Sequence, residues 1–273
     1  MSNPYTDKAL SLPGVVAAWG QDRAADIWRD DSTNSLDLTA IGATWTATGG
    51  PGDALPSYWS LDGVDDLLRR PAHDAALNLG VSGDGAHWIA FWARRTGIHD
   101  EAWAGKVTKG DGTYQVRATA ASADLRYDVR GGTGGNVGET VSAVMALDEW
   151  VFVVAQQETD PDVIAIYSGS VAAAPALGVS RPRSGTVGTD DGSTFVVGAQ
   201  DNSGTLRRFF RGDFVGVAVG TGAFLNEAQR DELWASSFEE PSEEPEFDPA
   251  NLAVTIDGTT AQLSWDASPL LSP

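Results

Sequence analysis

The sequence predicts an all-β fold in which two antiparallel sheets pack face to face. Its 273 residues include 31 glycines, and short runs of β-branched and aromatic residues lie between them. This pattern is typical of many short strands joined by turns. Hydrophobic residues make up 42% of the chain, which is enough to fill the core of such a sandwich. The spacing of the runs favours packed sheets over alternating strand–helix units.

The clearest strands either alternate apolar and polar residues or are apolar throughout. They are expected at residues 87–93, 114–117, 125–130, 150–155, 163–167, 194–198 and 213–219. Turn sequences rich in glycine, aspartate and asparagine separate them, at 110–112, 131–135, 190–192 and 201–204. The strand at 150–155 is apolar on both faces. We therefore expect it to lie centrally, with both of its faces covered.

One helix is predicted after these strands. Asn226 can cap its first turn, and Gln229 three residues later completes a capping box. Leu225, Leu233 and Trp234 supply apolar contacts to a sheet. A short helix at the end of a strand-rich domain is expected to cover one edge of the sandwich.

Composition divides the chain into four parts. Residues 1–13 form an N-terminal arm, and residues 14–238 form the sandwich with its helix. Residues 239–246 are an acidic, proline-containing linker whose charges repel one another and keep it extended. Residues 247–273 contain two alternating segments on either side of Asp257 and Gly258, which predicts a β-hairpin. Because an isolated hairpin is marginal in water, this tail needs a partner surface.

Several segments of residues 14–238 resemble, in the same order, those of laminin G-like domains of the concanavalin A-like lectin class. Residues 58–68 are similar to the Phe-Asp-Gly-x-Asp-Asp signature of that family, with Leu61 in place of the phenylalanine. Further matches are residues 30–38, 89–93, 103–106, 150–154, 195–198, 211–217 and the capped helix at 226–234, although the strand at 150–154 lacks the family's histidine. The resemblance implies a two-sheet antiparallel jelly roll.

The C-terminal tail resembles the first two strands of a fibronectin type III domain over residues 247–267. A complete module of that kind needs seven strands in about 100 residues, and only residues 247–273 remain here. Either the module is partial, or its strands complete the sheet of a neighbouring subunit by strand addition. The second alternative predicts a homo-oligomer.

The charge of the chain excludes several classes of partner. With 38 acidic and 18 basic residues, the net charge is −20, which repels nucleic acid and anionic membranes. The first 20 residues show neither a signal peptide nor an apolar stretch that could insert into a membrane. There is no cysteine, so disulfides are excluded.

Three arginine doublets interrupt this acidic sequence, at residues 69–70, 94–95 and 207–208. The preferred interpretation is local ion pairing at strand ends and loop rims. Docking at a subunit interface is the alternative.

No catalytic site is predicted. Glucanases with a jelly-roll fold use paired carboxylates in a Glu-x-Asp-x-x-Glu arrangement, and this sequence contains none. It also lacks the Gly-x-Ser-x-Gly motif of serine hydrolases. His73, His87 and His99 are expected to be ordinary loop or strand-edge residues. The sequence does not single out ligand-binding residues.

Calcium is the one cofactor that the sequence leaves open. The histidines lack the spacing of a zinc site, whereas hard oxygen ligands are present in two turns. Asp62, Asp65 and Asp66 lie in the signature turn, and Asp201 and Asn202 lie in a second loop. The alternative interpretation is that these residues simply form turns.

The ten tryptophans could stack on sugars or fill the core. Trp88 and Trp92 lie on one strand face with Phe91 opposite them, so core packing is preferred for this pair. Core positions are also preferred for Trp103, Trp150 and Trp234, which fall on family segments. Less constrained side chains, which could be exposed, are those of Trp45, Tyr58 and Trp59.

The function implied by the resemblance is that of a non-enzymatic virion surface protein. Laminin G-like and fibronectin-like modules occur together in structural proteins of tailed bacteriophages, such as tail fibres, head fibres and capsid decoration proteins. Such a protein is assembled in the host cytoplasm, has other virion proteins as partners, and binds a host glycan through its lectin-like domain. Two alternatives stay open: a fragment of a carbohydrate-active enzyme, and a structural brace without a ligand.

Overall fold

The computed structural model describes residues 3–79, 85–98, 101–106, 114–118, 124–130, 136–141, 147–159, 162–182, 193–202, 204–241, 252–257 and 260–265. Two α-helices lie within these ranges, α1 (Pro4–Ser11) and α2 (Glu227–Ala235), with short 3-10 turns at Ala75–Leu77 and Ser236–Phe238. None of the helices in the described part of the chain has the length and apolar character needed to cross a membrane.

The strands follow one another along the chain as β1 (Val15–Trp19), β2 (Arg23–Ala24), β3 (Ile27–Trp28), β4 (Leu38–Ile41), β5 (Thr44–Thr46), β6 (Tyr58–Asp62), β7 (Leu67–Arg69), β8 (His87–Arg95), β9 (Glu101–Lys106), β10 (Tyr114–Ala118), β11 (Leu125–Arg130), β12 (Asn136–Val141), β13 (Trp150–Thr159), β14 (Asp162–Ser170), β15 (Ala173–Pro182), β16 (Val196–Val197), β17 (Gln200–Asn202), β18 (Thr205–Arg207), β19 (Arg211–Thr221), β20 (Leu252–Asp257) and β21 (Thr260–Trp265).

Two large antiparallel sheets contain most of these strands. Sheet A has the order β15-β14-β13-β8-β19-β6-β5, and β1 also pairs with β19. Sheet B has the order β12-β11-β10-β9-β16-β7-β4-β3-β2. Strands β17 and β18 form a small separate hairpin. The predicted all-β, two-sheet antiparallel fold is therefore confirmed.

Strand β19 links two other strands of sheet A along one of its edges. Its first half pairs with β6 and its second half with β1, while the opposite edge pairs with β8. The register shifts between Val215 and Ala218. Gly216 lies within this irregularity at a φ of 60°, and a Cβ there would be 3.0 Å from the ring of Tyr5. A glycine therefore lets the strand bend while α1 approaches it closely.

The core between the sheets is rich in aromatic side chains. Trp19 stacks on Phe195 with ring centroids 5.3 Å apart, and Trp103 packs edge-on against Phe210 at 5.0 Å. Phe91 of β8 also lies in this core. Strand β13 contributes Val153 here and Phe152 to the opposite face, so the prediction that both of its faces are covered is confirmed.

A second apolar core lies on the outer face of sheet A, beneath the two helices. It contains Trp88 and Trp92 from β8, Tyr5 from α1 and Leu233 from α2. The indole nitrogen of Trp92 donates to the Ser237 hydroxyl at 2.8 Å. Sheet A is thus sandwiched between sheet B and a helical layer.

The helical layer agrees with the prediction for α2 and adds a second helix. The capping box of Asn226 and Gln229 is present, and α2 packs on the outer face of sheet A beside its edge strand β15. The N-terminal arm predicted at residues 1–13 contains α1, which Asn3 caps by accepting the Thr6 amide at 3.1 Å. Helix α1 forms because a cap and a proline at the first helical position stand together.

The tail forms the predicted hairpin. Strands β20 and β21 pair in register from Leu252 with Trp265 to Asp257 with Thr260. Residues 242–251 and 266–273 lie outside the described residues, as do the predicted turns at 110–112, 131–135 and 190–192.

Candidate functional site

A cleft of about 560 Å³ lies beside α1. It is formed by one side of that helix, the turn after β1, the residue Asp31, the turn at residues 53–56 and Pro241. Its volume is in the range of sites for small organic ligands. The residues that form it are distant in the sequence and meet only because α1 packs on sheet A.

Carboxylates dominate the polar lining of the cleft. Asp7 comes from α1, Asp22 from the turn after β1, Asp31 from the segment after β3, and Asp53 from the turn opposite. Among the described residues, no lysine or arginine lines the cleft. Four apolar residues add a nonpolar surface to the cleft: Leu10, Ala54, Pro56 and Pro241.

A local hydrogen-bond network around Asp30 fixes the backbone that carries Asp31. The Asp30 carboxylate accepts the amides of Ala18 at 3.0 Å, Ser32 at 2.9 Å and Leu36 at 2.8 Å. The amide of Asp31 itself donates to the Ala18 carbonyl at 2.9 Å. These contacts fix the backbone on both sides of Asp31, which lines the cleft.

Burial perturbs the ionisation of Asp31 at the wall of the cleft. Desolvation raises its pKa from 3.8 to about 6. Hydrogen bonding from Thr6 and from the backbone of Gly20 opposes this rise, while the negative charges of Asp22 and Asp30 add to it. Asp31 is therefore ionised at neutral pH but takes up a proton in mildly acidic solution.

The Thr6 hydroxyl lies beside Asp31 at the wall of the cleft. The residue is only 4% exposed, and its hydroxyl forms a hydrogen bond with the Asp31 carboxylate. A Cβ at Gly20 would lie 2.0 Å from that oxygen. The glycine thus allows α1 to come close to the end of β1, with the Thr6 hydroxyl buried between them.

The opposite wall is held by carboxamides. Asn3 donates from Nδ2 to the Ala54 carbonyl at 2.7 Å, and Gln21 donates from Nε2 to the Ser57 carbonyl at 2.9 Å. The Ser57 hydroxyl donates back to the Gln21 side chain. These bonds connect α1, the turn after β1 and residues 53–57, so the shape of the cleft is set before any ligand arrives.

The first group of calcium candidates lies together, away from the cleft. One carboxylate oxygen each from Asp62, Asp65 and Asp66 falls within a mutual distance of 4.8 Å. Asp66 accepts the Asp62 amide at 2.9 Å, and Asp62 accepts the Val64 amide at 2.8 Å. Burial is the main cause that raises the pKa of Asp66. The hydrogen bonds show turn formation, and calcium binding stays a prediction.

The second group of calcium candidates does not join the first. The Asp201 carboxylate is buried and binds Arg69 at 3.0 Å and the Thr194 hydroxyl at 3.1 Å, and it also accepts the Gly204 amide at 2.7 Å. The backbone of Asn202 pairs with Thr205 in the β17–β18 hairpin. Asp201 is thus engaged in a structural ion pair.

Local ion pairs account for the first two arginine doublets, as predicted. Besides Arg69, the pairs are Arg70 with Asp74 at 3.5 Å, Arg94 with Asp213 at 2.8 Å, and Arg95 with Glu101 at 3.1 Å. The last of these pairs is buried, which the prediction of pairs at loop rims did not anticipate.

The structure shows how exposed two of the histidines are, and it does the same for the aromatic residues whose exposure the sequence left open. His87 is buried, with Nε2 2.5 Å from the Tyr127 hydroxyl, so the expectation of an ordinary strand-edge residue is wrong for it. His73 lies in a described loop, and His99 lies outside the described residues. Trp59 is 2% exposed and Tyr58 9% exposed, so the exposure that the sequence left open for these two side chains is not found. Trp45 is half-buried and packs on Trp59.

Comparison with known proteins gives matches in structure alone. No family model matches the sequence, and no curated protein matches it. The binding domain of Paraclostridial Mosquitocidal Protein 1 is similar with a TM-score of 0.61 at 13% identity, covering 85% of this chain and 53% of that chain. The binding domain of botulinum neurotoxin DC, in complex with SialylT, has a TM-score of 0.57 at 11% identity, with coverages of 82% and 52%.

A third similar structure is that of a single small domain. Domain 4 of AbnA, a GH43 extracellular arabinanase from Geobacillus stearothermophilus, in complex with arabinotriose, has a TM-score of 0.53 at 16% identity. It covers 81% of this chain and 98% of that chain, whereas this chain spans about half the length of the two toxin domains. At such identities the comparisons establish the fold, and the chain is an antiparallel β-sandwich.

Proposed function

We propose that this protein is a carbohydrate-binding domain and that the cleft beside α1 holds the glycan. The observation that carries the proposal is a preformed cleft of about 560 Å³ with four carboxylates and an apolar wall. Sugar hydroxyls donate hydrogen bonds, and ionised carboxylates are strong acceptors of such bonds. The C–H faces of a sugar ring can pack on the nonpolar surface at Leu10 and Pro56.

The structural comparisons support the same class of ligand. The arabinanase domain is in complex with arabinotriose, and a further similar structure, that of botulinum neurotoxin type C, concerns an interaction with two ganglioside molecules at a TM-score of 0.59 and 12% identity. These ligands belong to those proteins. For this chain they support the general expectation that a sandwich of this fold recognises glycans.

A glycan array with the protein displayed as a multimer provides the first test, because multivalency raises weak single-site affinity. Binding is then measured by calorimetry for the wild type and for Asp53→Asn. Loss of one charge-assisted hydrogen bond predicts a weakening of roughly tenfold or more. The exposed Asp26, which does not line the cleft, provides a matched control as Asp26→Asn. A blank array, or equal losses in both variants, would contradict the proposal.

We prefer a protein that binds the glycan without cleaving it. One observation favours a second candidate function, that of a glycoside hydrolase. Asp31 has a pKa of about 6 in a cleft that contains other carboxylates, and a raised pKa is what a glycosidase general acid requires. A turnover screen on arabinans and β-glucans separates the two. Reproducible depolymerisation that Asp31→Asn abolishes would establish the hydrolase.

The finer part of the proposal places the domain on a virion surface, with other particle proteins as partners. It is supported by the resemblances of residues 14–238 and 247–267, described above. Mass spectrometry of purified phage particles tests this placement, and absence of the protein from the particles would contradict it. Size-exclusion chromatography with and without residues 247–273 tests whether the tail joins subunits. An unchanged oligomeric state would remove the strand-addition alternative.

A further inference from the structure

We infer that the outer surface of the β14–β15 ribbon, together with the end of α2, is the docking surface for the tail hairpin of a second copy of this chain. This inference rests on the proposed function, in which the tail joins subunits, and it names the surface that receives the tail. Five side chains from β14, β15 and the end of α2 form this surface, the ribbon patch: Tyr167, Val171, Leu177, Trp234 and Phe238.

The ribbon patch is continuous from the strands to the helix. Leu177 lies directly opposite Tyr167 in the pairing of β15 with β14, so both residues lie on the face of sheet A that carries the helices. The indole nitrogen of Trp234 donates to the Ser170 carbonyl at 2.9 Å. This bond places Trp234 beside Val171, the next residue of the chain.

Exposed apolar side chains and a lack of charge distinguish the ribbon. Val171 is 46% exposed and Leu177 is 54% exposed. Residues 163–180 contain no charged residue, although 21% of the whole chain is charged. Edge strands that stay free in solution usually carry charges, and a contiguous exposed apolar surface marks a site of interaction. The ribbon patch therefore has the character of an interface.

The structure of β15 favours packing on its face over pairing along its edge. The register between β14 and β15 shifts twice, and Pro175 within β15 has no amide hydrogen to donate. Bulges and prolines are common protections of an edge against an added strand. We therefore expect the tail to lie over the exposed side chains of the ribbon patch.

The tail hairpin has a matching apolar face. Alternate rungs carry an apolar residue on both strands: Leu252 with Trp265, Val254 with Leu263, and Ile256 with Ala261. Residues of alternate rungs share one face of a hairpin. Asp257 is the one charged residue within 252–265. Neither tail strand pairs with another described strand, and a two-stranded hairpin is marginal on its own.

The linker begins at the ribbon patch and favours a neighbouring copy over the same chain. Phe238, which packs on Trp234 with ring centroids 5.0 Å apart, directly precedes it. Residues 242–251 contain three glutamates, one aspartate and two prolines. Like charges and prolines predict an extended linker, about 30 Å long for these residues at ~3.1 Å each. The tail is thus expected to be held away from its own ribbon patch, and reciprocal exchange between two copies closes a dimer.

Sedimentation equilibrium of the full chain tests the receiving surface. Leu177→Lys should weaken the dimer at least about tenfold, because a charge replaces a buried apolar contact. The control Ile41→Lys changes a residue of sheet B that is 46% exposed, and it should leave the dissociation constant unchanged. A wild type that stays monomeric would overturn the inference, and so would a Leu177→Lys dimer as tight as that of the wild type.

Deletion of residues 247–273 separates this failure from that of the proposed function. A deletion that leaves the oligomeric state unchanged removes the joining of subunits by the tail altogether. A deletion that dissociates the dimer, combined with no effect of Leu177→Lys, refutes the ribbon patch alone.

Mixing two full-length variants tests exchange between copies. Leu177→Lys alters the ribbon patch and keeps the tail, whereas Leu263→Asp alters the tail and keeps the patch. A mixed dimer contains one unaltered contact, so the mixture should associate at least about tenfold more tightly than either variant alone. This expectation holds even where Leu263→Asp unfolds the hairpin, because the other chain supplies the tail. A mixture that associates no better than the separate variants would overturn the inference and indicate that each tail docks on its own chain.

Discussion

Replacing Asp31 with asparagine is expected to stabilise the protein at neutral pH. Burial raises the pKa of this carboxyl from 3.8 to about 6, so its ionised form is less favourable in the folded protein than in the unfolded chain. That shift corresponds to roughly 3 kcal/mol at about 1.36 kcal/mol per pKa unit. The side chain is partly exposed, and screening by solvent reduces the expected gain to about 1–2 kcal/mol.

The sign of the pH dependence follows from the same shift. Below pH 3.8 the carboxyl is protonated in both states and contributes nothing. Between 3.8 and about 6 the folded protein retains a proton that the unfolded chain has lost, so the free energy of unfolding falls as pH rises. Above about 6 the penalty is complete and constant. The gain from Asp31→Asn should therefore be about half as large near pH 5 as near pH 7.5.

Urea unfolding followed by tryptophan fluorescence measures this gain at both pH values. The control Asp26→Asn changes the same functional group at an exposed turn position and should give the same small effect at each pH. An Asp31→Asn variant that is destabilised at both pH values, or whose gain does not grow with pH, would refute the argument that burial of a charge dominates at this position.

Three further predictions concern the layer that covers sheet A. Ser237→Ala removes the hydroxyl that accepts the hydrogen bond of the buried Trp92 indole, and it should lower the free energy of unfolding by about 1–3 kcal/mol. Ser237→Thr keeps a hydroxyl and should retain most of the wild-type stability. Gly220→Ala would place a Cβ 2.3 Å from the Trp88 ring and should cost about 1–3 kcal/mol in chemical denaturation. Deleting residues 1–12 removes α1, so we expect increased binding of a hydrophobic dye and no glycan binding; unchanged dye binding would show that α1 does not cover the sheet.

Local patterns in the sequence were sufficient to predict the elements whose signals are local. The apolar pattern at residues 150–155 predicted a strand with both faces covered, and β13 lies between two cores. Asn226 and Gln229 predicted the capped helix, and both capping hydrogen bonds are present. Period-two alternation predicted the hairpin of β20 and β21. Each of these signals lies within one short, continuous stretch of sequence.

The position of α1 and the site itself could not be predicted in this way. Asn3 and Pro4 carry a helix-start signal, but α1 has only eight residues and is held by Tyr5, which packs against Gly216 more than 200 residues later. The cleft joins residues from Asn3 to Pro241, so its carboxylates are dispersed in the sequence and look like ordinary turn residues. Tertiary packing, which the local pattern does not encode, brings them together.

The most direct measurement of the central claim is a titration of isotope-labelled protein with a glycan selected from the array, followed by backbone amide chemical shifts. The account predicts that the largest changes occur around the cleft, at Thr6, Gly20, Asp31 and Ala54. Changes confined to the outer face of sheet B, around Arg117 and Asp128, would contradict it. An absence of changes with any glycan selected from the array would contradict it equally.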